Sequence, residues 1–187
     1  MDKRILKTRK YLRDTLLELM KEEPYKKITV KEICDRSNTG RVTFYNHYDD
    51  KYDLLLDCLD EMHQNISQSF KAMQKQKNPD NNFVRTLENL IDTIYEETRK
   101  YKGISLTEDP DLMAIYYHVF ISQMEDLEMN LGNHTPAKYD QKQLNSFLVL
   151  GFWGFLHGND IKSESEIRRD ARRLAKDLAE SRIFTIN

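Results

Sequence analysis

Ile5, Leu12, Leu16, Leu19 and Met20 recur at helical spacing, which predicts an amphipathic helix over residues 4–22. Pro24 and Tyr25 close it. A second helix opens on a T-x-x-E capping box, Thr29 with Glu32, and Ile28 and Ile33 sit where a hydrophobic staple would. The stretch VKEICDRS ends near Asn38, a residue type that tolerates the left-handed backbone of a tight turn. A third, short helix is expected over about residues 40–47, and Asp49 and Asp50 supply an N-cap for a fourth. That fourth helix is long: Leu55, Leu59, Met62, Ile66, Phe70 and Met73 make one apolar stripe across residues 50–76.

The stretch QKNPDNN (76–82) breaks the stripe and reads as the best internal boundary. Beyond it, residues 83–102, 110–131 and 139–157 each read as a helix, and GNHTPAK (132–138) and GNDIKS (158–163) are the separating loops. Ser163 and Glu166 form another capping box, and Ile167, Ala171, Leu174 and Leu178 give the last helix its apolar face. No strand pattern, internal repeat or low-complexity segment interrupts this series, so the expected fold class is all-α.

Charge changes the picture. The formal total is −2, yet residues 1–51 hold 13 Lys and Arg against 9 Asp and Glu, and the remainder holds 16 against 22. A basic head on an acidic body suggests that the head meets a polyanion and the body does not. No apolar run approaches the length of a membrane span, and the N-terminus lacks the core of a signal peptide. Cys34 and Cys58 stand alone, in neither a CxxC pair nor a disulfide framework. These features give the expectation of a cytoplasmic protein.

Residues 28–51 carry the candidate chemistry. Two short helices joined by a polar turn and braced by an amphipathic first helix describe a helix-turn-helix, whose second helix enters the major groove. Val42 and Phe44 are expected to hold the short helix on its scaffold. Arg41 and Thr43 would face base edges, Arg being suited to guanine and Thr to a thymine methyl. Tyr45, His47 and Lys51 would bracket the groove as phosphate ligands, and Thr29 lies at a helix N-terminus that also favours phosphate. With Val42 and Asn46 these make the expected DNA-binding set.

From about Lys7 to Asp60 the chain resembles the DNA-binding domain of the TetR family of bacterial transcriptional regulators. Such domains read TVxxIAxxAGVSxGTFYxHFxxKxxLL, against TVKEICDRSNTGRVTFYNHYDDKYDLL here. Thr29, Val30, Ile33, Arg41, Thr43, Phe44, Tyr45, His47, Lys51, Leu54 and Leu55 match residue types usual there. Cys34 and Ser37 stand where alanines are common, Asn38 replaces glycine, Thr39 valine and Val42 glycine. The resemblance implies about nine helices, with a DNA-binding domain at 1–50 and an effector-binding and dimerisation domain at 51–187. It further implies a homodimer on a palindromic operator, a small-molecule effector or a protein co-regulator, no cofactor, and most often repression.

In the body the resemblance is one of plan. LNSFLVLGFWGFLHG (144–158) is apolar nearly all round, and Gly151 and Gly154 would let another helix approach. The expected two-fold interface comprises Phe147, Leu150, Gly151, Gly154 and Phe155 with Ile167, Ala171, Leu174 and Leu178. Regulators linked to dihydroxyacetone kinase genes end in a similar Gly/aromatic-rich helix. The expected effector lining is Tyr95, Tyr101, Tyr116, Phe120, Met124, Phe147 and Trp153, with Glu97 as a further polar handle.

Other readings are weaker. A helical hairpin with a solvated polar face leaves Thr43, Tyr45, His47 and Lys51 occurring together unexplained. A helical scaffold without DNA binding predicts no polyanion affinity. His118, His134 and His157 form no HxxxH or HExxH pair, so no metal site is expected. Cys34 reads as a small buried residue rather than a redox sensor. No phosphate loop or nucleophile elbow appears, so catalysis is not expected.

Overall fold

A computed structural model describes residues 3–101, 103–104, 112, 115, 140–157 and 163–181. The described residues are helical throughout, with no strand: α1 Lys3–Glu22, α2 Val30–Arg36, α3 Arg41–Tyr45, α4 Lys51–Lys77, α5 Phe83–Thr98, α6 Gln141–His157 and α7 Glu164–Glu180. A 3₁₀ turn, Arg99–Tyr101, follows α5. The helix expected over 110–131 lies outside the described residues, apart from Leu112 and Ile115. No described helix is long and apolar enough to cross a membrane. Two compact units emerge, Met1–His63 with Tyr101–Phe120 and Gln64–Lys100 with Ile121–Asn187, and α4 contributes residues to both.

In the first unit Leu12, Leu16, Leu19 and Met20 are buried on one face of α1, which packs on α2. Ile5 departs from the expected stripe. It is 39% exposed, because no described residue of α1 before Leu12 is buried. The first unit is locked by an ion-pair cluster centred on Asp57, whose side chain is only 14% exposed. Its carboxylate accepts from Arg9 Nη2 at 2.6 Å, Arg13 Nη1 at 2.8 Å and the Tyr48 hydroxyl at 2.6 Å. Arg13 also grips Glu61 through two hydrogen bonds of 2.6 and 2.9 Å, in the bidentate geometry that suits a guanidinium and a carboxylate. Burial alone would raise the Asp57 pKa. The hydrogen bonds from Tyr48, Arg13 and Arg9 prevail and hold it below the usual carboxylate range.

In the second unit α5 packs on α6 and α7, and α6 on α7. Leu144, Leu148, Phe152 and Leu156, four apart, form the buried stripe of α6. The 76–82 stretch is no loose linker. Asn78 is buried, and its side chain donates to Thr86 Oγ1 at 2.9 Å and accepts from Asn82 N at 2.8 Å, while Asn81 takes φ 51°. Asp92 ties α5 to α7 by accepting from Arg168 at 2.7 Å and Arg172 at 2.8 Å.

Candidate nucleic-acid interface

Local sequence builds the helix-turn-helix step by step. Thr29 Oγ1 accepts from Glu32 N at 3.2 Å, and the Glu32 carboxylate accepts from Thr29 N at 2.8 Å, so the capping box is closed at both ends. Ile28 and Ile33 are both buried, as a staple requires. Asn38 takes φ 52°, and Thr39 N donates to Cys34 O at 2.9 Å, which ends α2 and turns the chain. Asp50 Oδ1 then accepts from the backbone N–H groups of Tyr52 and Asp53 at 2.7 and 2.9 Å and caps α4.

Between these caps α3 is five residues long, and Phe44 alone is buried in it. The Phe44 ring meets Tyr45 edge-on at 5.4 Å and Tyr48 at 5.8 Å between centroids. Arg41, Val42, Thr43, Tyr45 and Asn46 are exposed, and His47 is half-buried. The expectation that Val42 packs beside Phe44 is overturned, since Val42 is 77% exposed. Residues two apart on a helix point about 200° from each other. If Phe44 faces the core, Val42 must face away. It therefore joins the outer face with Arg41 and Thr43, where its apolar surface suits a thymine methyl.

Lys51 also departs from the expectation. Its ammonium donates to the carbonyls of Ile28 at 2.7 Å, Tyr25 at 2.9 Å and Lys26 at 3.3 Å, and lies 4.4 Å from the Tyr25 ring centroid. An ammonium has three protons, and all three are engaged. A cation in the first turn of α4 opposes the helix dipole. Its place is explained by the carbonyls it gathers between α1 and α2, so in this structure Lys51 clamps the first turn of α4 to that loop. Burial pulls its pKa down, with the Glu32 carboxylate opposing. Cys34 is buried and its thiol pKa raised chiefly by that burial, which disfavours a redox role.

Of the expected effector residues, Tyr95, Tyr101, Glu97 and Phe147 are among the described ones. Tyr95 is half-buried with the Arg168 guanidinium 4.7 Å from its ring centroid, and Tyr101 is half-buried. Glu97 is buried and accepts from Ser69 Oγ at 2.7 Å. Phe147 is 55% exposed, on the surface rather than in a chamber. Tyr116, Phe120, Met124 and the Trp153 side chain lie outside the described residues.

The interface residues divide between two environments. Phe147, Gly151, Gly154 and Phe155 are exposed on the flank of α6 beside its buried stripe, and Leu150 is half-buried. A methyl group placed on either glycine would meet open space. On α7, Ile167 and Ala171 are buried inside the chain, which removes both from a surface that a partner could reach. They pack inward because α7 lies on α5 and α6; Leu174 and Leu178 are half-buried. Sequence reasoning missed Asp57, Arg9 and Arg13, and did not place Tyr48 in a cluster with them. The available signal was a pair of matched four-residue spacings, Arg9 with Arg13 and Asp57 with Glu61.

Residues 12–58 match the family described as "Bacterial regulatory proteins, tetR family". The uncharacterised HTH-type transcriptional regulator YxbF of Bacillus subtilis (strain 168) is 40% identical over 55 residues, 29% of this chain and 14% of that protein. Among solved structures, a TetR-family regulator from Syntrophomonas wolfei str. Goettingen aligns with a TM-score of 0.69 at 15% identity, covering 96% of this chain and 98% of that one. A TerR/AcrR-family regulator from Aquifex aeolicus VF5 gives 0.65 at 22% identity, covering 91% and 99%. A TetR regulator from Streptococcus agalactiae 2603V gives 0.58 at 24% identity, covering 93% and 96%. These likenesses show the fold across the body, and at the head the match over residues 12–58 shows a helix-turn-helix of the TetR type.

Proposed function

We propose that this regulator is a cytoplasmic homodimeric repressor that reads an inverted-repeat operator and releases it when an effector binds the body. The observation that carries the reading is α3 itself, a helix anchored by fully buried Phe44 and presenting Arg41, Val42, Thr43, Tyr45 and Asn46 outward. Residues 1–50 would be the reading head and 51–187 the regulatory body. Each subunit would lay α3 in the major groove of one half-site, and two-fold symmetry in the protein would match the symmetry of the site. The exposed apolar face of α6 supports the dimer, since such a face is stabilised by burial against a copy of itself. An effector, whether a small molecule or a co-regulator protein, would act through its difference in affinity for DNA-competent and incompetent arrangements of the two α3 helices.

The test is selection of bound fragments from random DNA by the purified protein at two salt concentrations. An inverted repeat that persists at the higher salt supports the reading. Binding without a motif, lost as salt rises, would reduce the interaction to phosphate contacts. Arg41→Ala is expected to flatten preference at one position of each half-site, costing roughly 1–3 kcal/mol of discrimination; titration against single-base variants checks it. Phe147→Asp is expected to give monomers in sedimentation, and an intact dimer would place the interface elsewhere.

A further inference from the structure

The first two turns of α1 do little for the core, yet they carry Lys7, Thr8 and, just beyond, a Tyr11 that is 50% exposed. Across from them lies the turn before α3. Between the two is an open cleft of about 480 Å³, walled by Thr8 and Tyr11 on one side and by residues 37–40 with Thr43 on the other. Thr43 belongs at once to this cleft and to the outward face of α3. The cleft is thus continuous with the surface assigned to base contact.

The α1 residues beside it offer donors that suit an anion. Neighbouring cations are engaged, Arg9 with Asp57 and Lys10 with Asp14. Lys7 has no carboxylate partner among the described residues; its ammonium rests 5.6 Å from the centroid of the Tyr11 ring. The hydroxyls of Tyr11 and Thr43 have no hydrogen-bond partner there either. A cleft this open does not enclose a small molecule, but a duplex lying on α3 would close it. The major groove is about 12 Å wide and bounded by phosphates, so groups flanking a five-residue helix meet backbone rather than bases.

We propose that α1 along this cleft forms a phosphate-binding strip, in which the Tyr11 hydroxyl from the cleft wall and Lys7 beside it hold a DNA backbone phosphate near Thr43. The proposal rests on the reading of α3 as the recognition helix and adds α1 to the interface. It takes over the phosphate role that the Lys51 geometry leaves vacant.

The experiment is a titration of the full-length protein with a duplex of arbitrary sequence across a range of salt, monitored by fluorescence anisotropy. Lys7→Gln should weaken binding to every sequence alike and lower the salt slope by about two units for a dimer, near 0.9 per lost phosphate contact. Tyr11→Phe should weaken binding roughly three- to tenfold with the slope unchanged, because the lost hydroxyl is neutral. Lys7→Arg keeps the charge and should keep the slope, which separates a phosphate contact from a structural one. Affinity and slope unchanged in Lys7→Gln would overturn the strip while leaving the reading of α3 intact. Failure of the unmodified protein to bind any duplex would overturn both.

Discussion

Asp57→Ala is expected to destabilise the helix-turn-helix unit by about 3–5 kcal/mol, the cost of removing one partner from a buried ionic cluster. The reason lies in what remains rather than in what is lost. Arg9, Arg13 and the Tyr48 hydroxyl all point at one carboxylate on α4, and alanine would take that shared acceptor from them. Arg13 keeps Glu61, so its charge is only partly stranded, whereas Tyr48 and Arg9 lose the carboxylate they donate to. Because Tyr48 lies three residues beyond α3 and packs against Phe44, the same change loosens the seat of α3. Denaturant unfolding followed by circular dichroism measures the loss; a change below about 1 kcal/mol would show that the cluster is not a structural hub.

The cluster also sets a pH dependence. Asp57 titrates lower in the folded chain than the roughly 3.9 of a free aspartate, so its contribution is present at neutral pH and above the unfolded value. It is lost as pH falls through the depressed folded value. Acid should therefore unfold the native protein, and Asp57→Ala should remove part of that acid sensitivity.

Lys51→Ala is expected to cost about 2–3 kcal/mol of stability, the scale for hydrogen bonds to a charged group, while leaving the salt slope of DNA binding unchanged. Its three carbonyl acceptors lie in the loop joining α1 to α2, so the ammonium ties that loop to the first turn of α4. A phosphate ligand at this position would behave the opposite way, with stability preserved and the slope reduced by about two units per dimer. The two measurements on one variant separate the roles cleanly. A lowered slope in a fully stable variant would restore Lys51 to the DNA interface.

Much of the head is legible in the sequence because its signals are local. Thr29 with Glu32 closes as a capping box, as Ser163 with Glu166 does in the body, and Asn38 takes the left-handed turn its type allows. Sequence reading fails where a side chain's direction depends on the helical period or on distant groups. Val42 and Phe44 are near neighbours along the chain, yet the period sets them on opposite sides. Lys51 has the right residue type for phosphate, but its geometry is decided by carbonyls more than twenty residues earlier. Asp57 meets arginines 44 and 48 positions away, and neither partner predicts the other without the fold. In α6, the all-round apolar pattern holds a buried stripe and an exposed face without marking which residues belong to each. Nor does the sequence of α7 show that Ile167 and Ala171 turn inward.

The central claim, that α3 reads sequence for a symmetric pair of subunits, is tested most directly on the inverted repeat recovered by selection. Its affinity should be measured beside that of a duplex with both half-sites scrambled, at physiological salt and with stoichiometry from sedimentation. Two chains per repeat are expected, with a preference on the order of a thousandfold or more that is sharply reduced in Arg41→Ala. Equal affinity for the two duplexes, or one chain per repeat, would contradict the claim.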